Sequence, residues 1–314
     1  MSQPTLGFSV ACYRGDIPLL RGCLASVKYF APDAPICLIA DGDFSTREFE
    51  RAYGVQVIRK KDVQNPDLRK WSFGYGITKM IALWESPFEW VFHLDADMVL
   101  WGDIRKNLPQ QPWDFVYNEP HEVITDEIQK SQYFDPEKLF QFVPSFPWQD
   151  RPYFNSGSWC AKRGVFDLDE YLTLLEVYRK HPDVVFTDQG IMGVMAFRAA
   201  SANKMKVREA HLQTNVPVFT KNELAARFYM DENGPVLGER PTSIHWAGPK
   251  PWVTNREVFR KPMDYFRKLG AASSALLSKL PPEISLTADE WHHRLLPGKV
   301  AKAKRMIKQS IGRA

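Results

Sequence analysis

Residues 1–100 alternate between short apolar runs and amphipathic stretches. Leu6–Cys12 (LGFSVAC), short, uncharged and followed by polar residues, reads as a buried strand. Ile17–Phe30 places Leu20, Leu24 and Val27 at helical spacing, with Asp16 as its N-cap. Ile36–Ala40 is a second strand, Ser45–Tyr53 a second helix and Val55–Ile58 a third strand. Ile77–Trp84 is helical, and Glu89–Leu94 is a strand that ends in Asp95. Strands and helices alternating at roughly 25-residue intervals are the pattern of βαβ units on a mostly parallel sheet. Such sheets bind ligands beyond the carboxyl ends of their strands, so the residues directly after each strand are where chemistry is expected.

Residues 118–153 break this rhythm: acidic and amide residues mix with Tyr133, Phe134, Phe140, Phe142, Phe146, Trp148 and Tyr153, without periodicity. A connection that long inside a compact domain is usually a functional insertion. Beyond it, Phe154–Ala161 reads as a strand, Leu168–His181 as a helix and Gly190–Ala199 as a second, very apolar helix. Residues 201–246 are mixed strand and loop, Arg256–Leu269 is a helix, and the last 25 residues are helical pieces around Pro297–Gly298.

Composition narrows the class. With 314 residues, 44% hydrophobic and 25% charged, the chain is neither disordered nor fibrous and has room for one large α/β domain or two small ones. It contains no apolar run of about 18 residues, so no spanning helix is expected. The opening MSQPTLGFSV lacks the basic and apolar segments of a cleaved signal. Cysteines 12, 23, 37 and 160 show no metal spacing and fit buried, reduced thiols, which points to the cytoplasm. The net charge of +4 is unevenly placed: from Trp291 onward lie Arg294, Lys299, Lys302, Lys304, Arg305, Lys308 and Arg313, and no acid. No basic stripe interleaved with aromatics crosses the rest, which argues against nucleic acid as a partner. In the tail, Val300, Ala303, Ile307 and Ile311 share one helical face. That pattern suits peripheral attachment to an anionic membrane surface, and equally a solvated terminal helix.

The sharpest feature is Trp90-Val-Phe-His-Leu-Asp-Ala-Asp97. An apolar strand delivers two carboxylates at its carboxyl end, a hard-oxygen half-site for Mn²⁺ or Mg²⁺ that leaves positions open for phosphate oxygens. Asp41-Gly-Asp43 also follows a strand, so the tripeptide alone does not separate a metal site from two solvated acids. The segment Ile244-His-Trp-Ala-Gly-Pro-Lys-Pro-Trp252 adds a nitrogen donor in His245, close backbone approach at Gly248 and a point charge for phosphate in Lys250. Asn155-Ser-Gly157 and Thr187-Asp-Gln-Gly190 add further polar groups. His292-His293 has no partner nearby in sequence and reads as surface.

In this order, the motifs resemble a GT-A-fold glycosyltransferase close to glycosyltransferase family 8, the group of glycogenins and bacterial lipopolysaccharide galactosyl- and glucosyltransferases. The elements that carry the resemblance are Phe8–Val27, Thr78-Lys79, His93-Leu-Asp-Ala-Asp97, Phe154-Asn-Ser-Gly157, Asp188-Gln189 and His245-Trp-Ala-Gly-Pro-Lys-Pro-Trp252. It implies an α/β fold with a single GT-A domain over residues 1–255, in which 118–153 is an acceptor-side insertion. Residues 256–314 would form a helical C-terminal region ending in the basic amphipathic tail.

The resemblance implies that Asp95, Asp97 and His245 hold Mn²⁺ (or Mg²⁺) against the diphosphate of a UDP-sugar, with Ala96 between the two acids. Lys250 and the Gly248 N–H would grip the same diphosphate, while Asp41 and Ala11-Cys12-Tyr13 would hold the uridine. Lys79 and Asp188 resemble donor-sugar contacts, and Asn155 and Gln189 resemble positions beside the anomeric carbon. The acceptor would be a glycan or a lipid-linked glycan, with Trp148 and Tyr153 as candidate stacking rings. An insertion that packs its aromatics as a mini-core is equally open.

The family retains anomeric configuration. Gln189 is an amide and a poor nucleophile, so front-face attack is favoured, with Asp188 as the alternative nucleophile. This chain departs from the pattern in three places: Val10-Ala-Cys-Tyr-Arg14 carries no acid, Ser158-Trp-Cys160 is bulky, and Gly190 follows the Asp-Gln pair. Two other functions remain: a sugar-nucleotide nucleotidyltransferase, which would need a glycine-rich basic loop after the first strand, and a catalytically silent carbohydrate-binding protein.

Overall fold

The structure, a computed structural model, describes residues 5–74, 76–120, 125–149 and 154–296. Its strands are β1 (Leu6–Tyr13), β2 (Ile36–Asp41), β3 (Gln56–Arg59), β4 (Trp90–Asp95), β5 (Met98–Trp101), β6 (Phe115–Asn118), β7 (Ser158–Lys162), β8 (Val207–Ala210), β9 (Gln213–Asn215), the hairpin β10 (Met230–Asp231) and β11 (Gly234–Pro235), and β12 (Thr242–His245). The α-helices are α1 (Ile17–Phe30), α2 (Arg47–Tyr53), α3 (Pro66–Trp71), α4 (Ala82–Glu85), α5 (Asp126–Gln132), α6 (Pro136–Leu139), α7 (Leu168–Lys180), α8 (Asp188–Ser201), α9 (Lys221–Arg227), α10 (Lys261–Ala271) and α11 (Pro282–Glu290).

Seven strands form the main sheet in the order β3-β2-β1-β4-β7-β6-β8. β7 alone among them runs against its neighbours. The central parallel strands are covered on both faces, which is why their sequences are apolar runs rather than alternating ones. On one face lie α7, α8 and most of the insertion's aromatics; on the other lie α1 and α2. A second sheet, β5-β12-β9, packs with α10 behind α1. The helix α1 is therefore enclosed from both sides, and every residue from Ile17 to Val27 is buried. Arg21 is among them, and its guanidinium reaches Asp289 of α11 at 2.9 Å and Glu48 of α2 at 3.0 Å.

Several elements differ from the sequence reading. Asp16 stands at the N-cap of α1, but its side chain caps nothing. Residues Ile77–Ile81 form a 3₁₀ helix that leads into α4. β7 starts at Ser158 rather than Phe154, because the Asn155 Oδ1 accepts the Gly157 N–H (2.8 Å) and closes an Asx turn ahead of the strand. α8 starts at Asp188, capped by the Thr187 hydroxyl, which accepts from Gly190 N at 3.3 Å. α10 starts only at Lys261, with Pro262 in its first turn. α3, β5 and β6 are short elements that the periodicity does not announce.

The four cysteines are free and buried. Among the described residues no helix is long and apolar enough to cross a membrane. The amphipathic tail, and Tyr153, lie outside the described residues.

Candidate active site

The main sheet and the small sheet meet at Asp95-Ala96-Asp97. The chain leaves the first at the carboxyl end of β4 and enters the second at Met98, so the two acids occupy the junction. His245 pairs with Met98 across β12 and β5, and the Trp246 N–H donates to the Asp97 carbonyl (3.3 Å). This register brings a histidine from far along the chain beside the acids. One ligand atom from each of Asp95, Asp97 and His245 lies within 4.8 Å of the others. Ala96 packs its methyl into the core, so only its backbone faces a ligand.

Several observations fit a divalent ion. Burial lowers the His245 imidazole below its ordinary value against the pull of Asp97 and Asp95, which leaves a neutral ring with a lone pair to give. Its Nε2 lies 3.8 Å from Asp95 and 3.6 Å from Asp97, too far for a hydrogen bond, and its Nδ1 has no hydrogen-bond partner among the described residues. Packing against Gly157 therefore orients the ring: a Cβ at that position would stand 2.4 Å from His245 Cε1. Two carboxylate oxygens and one imidazole nitrogen are a donor set suited to Mn²⁺.

Two lysines balance the acids. Lys79 Nζ contacts Asp95 at 3.0 Å and Asp188 at 2.9 Å. Burial alone would lower the Lys79 pKa, but the two carboxylates raise it and keep the ammonium charged. Burial likewise works against ionised Asp95, yet Lys79, His93 and His245 hold it well below the usual carboxylate range. Lys250 pairs with Asp97 and also donates to the Trp246 carbonyl (3.0 Å). Gly248, two residues earlier, adopts φ +100°, in the region that favours glycine.

The remaining expected residues are placed unequally. Asn155 Oδ1 accepts from both Gly157 N (2.8 Å) and Gln213 Nε2 (3.1 Å), so the amide offers its Nδ2 hydrogens to a ligand. Gln189 Oε1 accepts from Ser156 N at 3.4 Å, and Asp188 accepts from the Ser156 hydroxyl at 2.5 Å. Asp188, Lys79, Ser156 and Asp95 thus form one side-chain network, and Gln189 and Asn155 meet it through the backbone amides of Ser156 and Gly157.

Asp41 instead takes the Gly74 N–H (3.0 Å) and the Thr78 hydroxyl (2.7 Å), fixing the loop after α3. Ala11 is opposite Asp95 in the β1–β4 register, whereas Cys12 turns its thiol into the core and Tyr13 is 54% exposed.

Sequence reasoning missed three groups. His93 Nε2 lies 3.2 Å from Asp95, two residues away on the same face of the strand, so the period of two was the available signal. Gln213 has no local signature. Asp16, read as a cap, instead lies close to Tyr13, and burial followed by the nearby Asp97 pushes its pKa up to about 7. The insertion behaves largely as a mini-core: Tyr133, Phe134 and Phe146 are buried, and Phe140 and Trp148 pack against them. Phe142 is exposed and lies against His181. The adjacent histidines divide: His292 is exposed, and His293 is half-buried with its Nε2 3.6 Å from Asp289.

The fold is an α/β fold of the GT-A glycosyltransferase type. The chain is similar to the galactosyltransferase LgtC solved with donor and acceptor sugar analogues (TM-score 0.54, 17% identity, covering 88% of this chain and 98% of that one). It is also similar to an LgtC variant in which an active-site glutamine is replaced by glutamate (TM-score 0.54, 16% identity, 85% and 95%). A third similar structure is the bifunctional glycosyltransferase WbbM in its apo form (TM-score 0.55, 13% identity), of which the chain spans about half (91% and 52%). No protein-family description and no curated protein matches the sequence.

Proposed function

We propose that this protein is a metal-dependent glycosyltransferase that moves a hexose from a UDP-sugar to a glycan or lipid-linked acceptor, such as lipopolysaccharide or another surface polysaccharide, with retention of configuration. The observation that carries this reading is the Asp95–Asp97–His245 donor set at the carboxyl edge of a GT-A sheet, with Lys250 beside it. Asp95, Asp97 and His245 would hold Mn²⁺, which when bound offsets charge developing on the leaving diphosphate. Lys250 supplies a second positive charge for the same phosphates, and the Asn155 Nδ2 donates to a donor oxygen.

Asp188 reaches the metal set through Lys79, but Lys79 and the Ser156 hydroxyl already engage it, which weakens it as a nucleophile. Gln189 is an amide, which is a poor nucleophile. Front-face transfer is the mechanism favoured here: the departing diphosphate takes the acceptor proton while Asp188 and Gln189 shape the sugar pocket. Asp16, a carboxylate after β1 where a nucleotidyltransferase would cradle a triphosphate with basic groups, argues against that alternative.

We place the protein at the cytoplasmic face of a membrane. Leu276, Ile284, Trp291 and Leu296 are exposed apolar residues leading to the basic segment 297–314, and free cysteines suit a reducing compartment.

The test is a thermal-shift titration of UDP, GDP, CDP and UTP, with and without Mn²⁺, on wild type and Asp97→Ala. A ligand at a hundredfold its Kd stabilises by about 2.7 kcal/mol. Stabilisation by UDP is expected only with Mn²⁺ and only in wild type. A response confined to UTP would point to nucleotidyl transfer, and no response to any nucleotide would leave a binding protein.

A further inference from the structure

The loop that carries Lys250 is tied at its far end to the C-terminal helices. The Val253 N–H donates to Glu290 Oε1 at 2.8 Å, and the same oxygen accepts from Arg267 Nη1 at 2.7 Å. Glu290 is 1% exposed and Arg267 is fully buried. Arg260 donates to the Val253 carbonyl (2.5 Å), and the Arg294 guanidinium lies 4.4 Å from the centre of the Trp252 ring. Within the loop, Trp252 N donates to the Lys250 carbonyl (2.9 Å), a tight turn over Lys250–Trp252 that Val253 directly follows. A buried ion pair is weak evidence for stability by itself, because desolvation offsets its attraction. Here the carboxylate also takes a loop N–H, and that loop ends on the candidate diphosphate site.

We propose that Glu290 is a positioning residue for Lys250. Through Val253 it fixes the stem of the turn, so that the Lys250 ammonium stands at Asp97 before any nucleotide arrives. A preset cation binds the diphosphate without first ordering its side chain and loop. The proposal rests on the donor-site reading above; without it, Glu290 and Arg267 serve only to join α10 to α11.

The experiment measures Mn²⁺-dependent UDP affinity by calorimetry in wild type, Lys250→Ala, Glu290→Asp and the double variant. Glu290→Asp keeps the negative charge but draws it back by one methylene from both Val253 and Arg267, and the comparison in the Lys250→Ala background separates the loop anchor from the ion pair. Alone it is expected to weaken UDP about fivefold or more, and to add nothing once Lys250 is alanine. Wild-type affinity in Glu290→Asp, or an equal loss in both backgrounds, overturns the proposal. Amide exchange on the wild-type chain is a check that needs no variant: the Val253 amide is expected to be protected before nucleotide is added, and fast exchange overturns the anchor. If the wild type does not bind UDP, the donor-site reading fails, whereas exchange at Val253 reports on the anchor alone.

Discussion

Lys79 shows how much one side chain decides at this site. Its ammonium is buried between Asp95 and Asp188, and removing it leaves two carboxylates facing each other with their shared counter-charge gone. Breaking a buried pair by deleting one partner destabilises by about 3–5 kcal/mol. Lys79→Met is therefore expected to lower Tm sharply in chelator and to recover part of the loss in Mn²⁺, since a divalent ion at Asp95 would replace the missing charge. Differential scanning calorimetry with and without Mn²⁺ checks this, and equal losses in both conditions would remove the metal from the account.

At the scale of elements, two packings carry predictions. The Asn155–Gly157 loop supports β12 through Gly157, where a methyl would stand 2.4 Å from the His245 ring. Gly157→Ala is expected to destabilise by about 1–3 kcal/mol through overpacking and to weaken Mn²⁺ binding more than it lowers Tm, because the atom that must move belongs to the ligand ring. A Mn²⁺ titration followed by urea unfolding separates the two effects.

In α10, burial pushes the Asp264 carboxyl up to about 6 from an ordinary 3.8, although Arg260 lies 3.1 Å away. A raised carboxyl pKa means that the unfolded chain releases the proton first, so the native state loses stability as pH climbs through that window and keeps the loss above it. Relative to wild type, Asp264→Asn should therefore gain stability between about pH 4 and about pH 6, as read by denaturant unfolding at each end. A constant difference across that range would show that Asp264 does not titrate there.

At the scale of the whole molecule, the C-terminal helices complete the core. α10 covers α1, while Arg21–Asp289 and Arg267–Glu290 close the contact in buried ion pairs. A chain ending at residue 255 would leave the apolar back of α1 and the buried Arg21 in water, so it is expected to show no near-UV CD signal and no cooperative urea transition.

The βαβ order, strands β1 to β4 and the Asp95-Ala96-Asp97 turn were legible in the sequence, because apolar runs, period-3.6 patterns and strand-end acids are local signals. So were His245 and Lys250, as members of one dense segment. What stayed hidden was relational. Lys79 reads locally as a residue near a helix start, and only the fold lodges it between Asp95 and Asp188. Gln213 carries no motif, yet the register of β9 with β12 brings its amide to Asn155. Asp16 looks like a helix cap, and only the packing of β5 on α1 sets it near Asp97. The sequence by itself determined which residue types stand at the ends of which strands, since hydrophobic periodicity is written along the chain. The tertiary structure alone decided which of them share charges and hydrogen bonds, since those depend on distances between segments far apart in sequence.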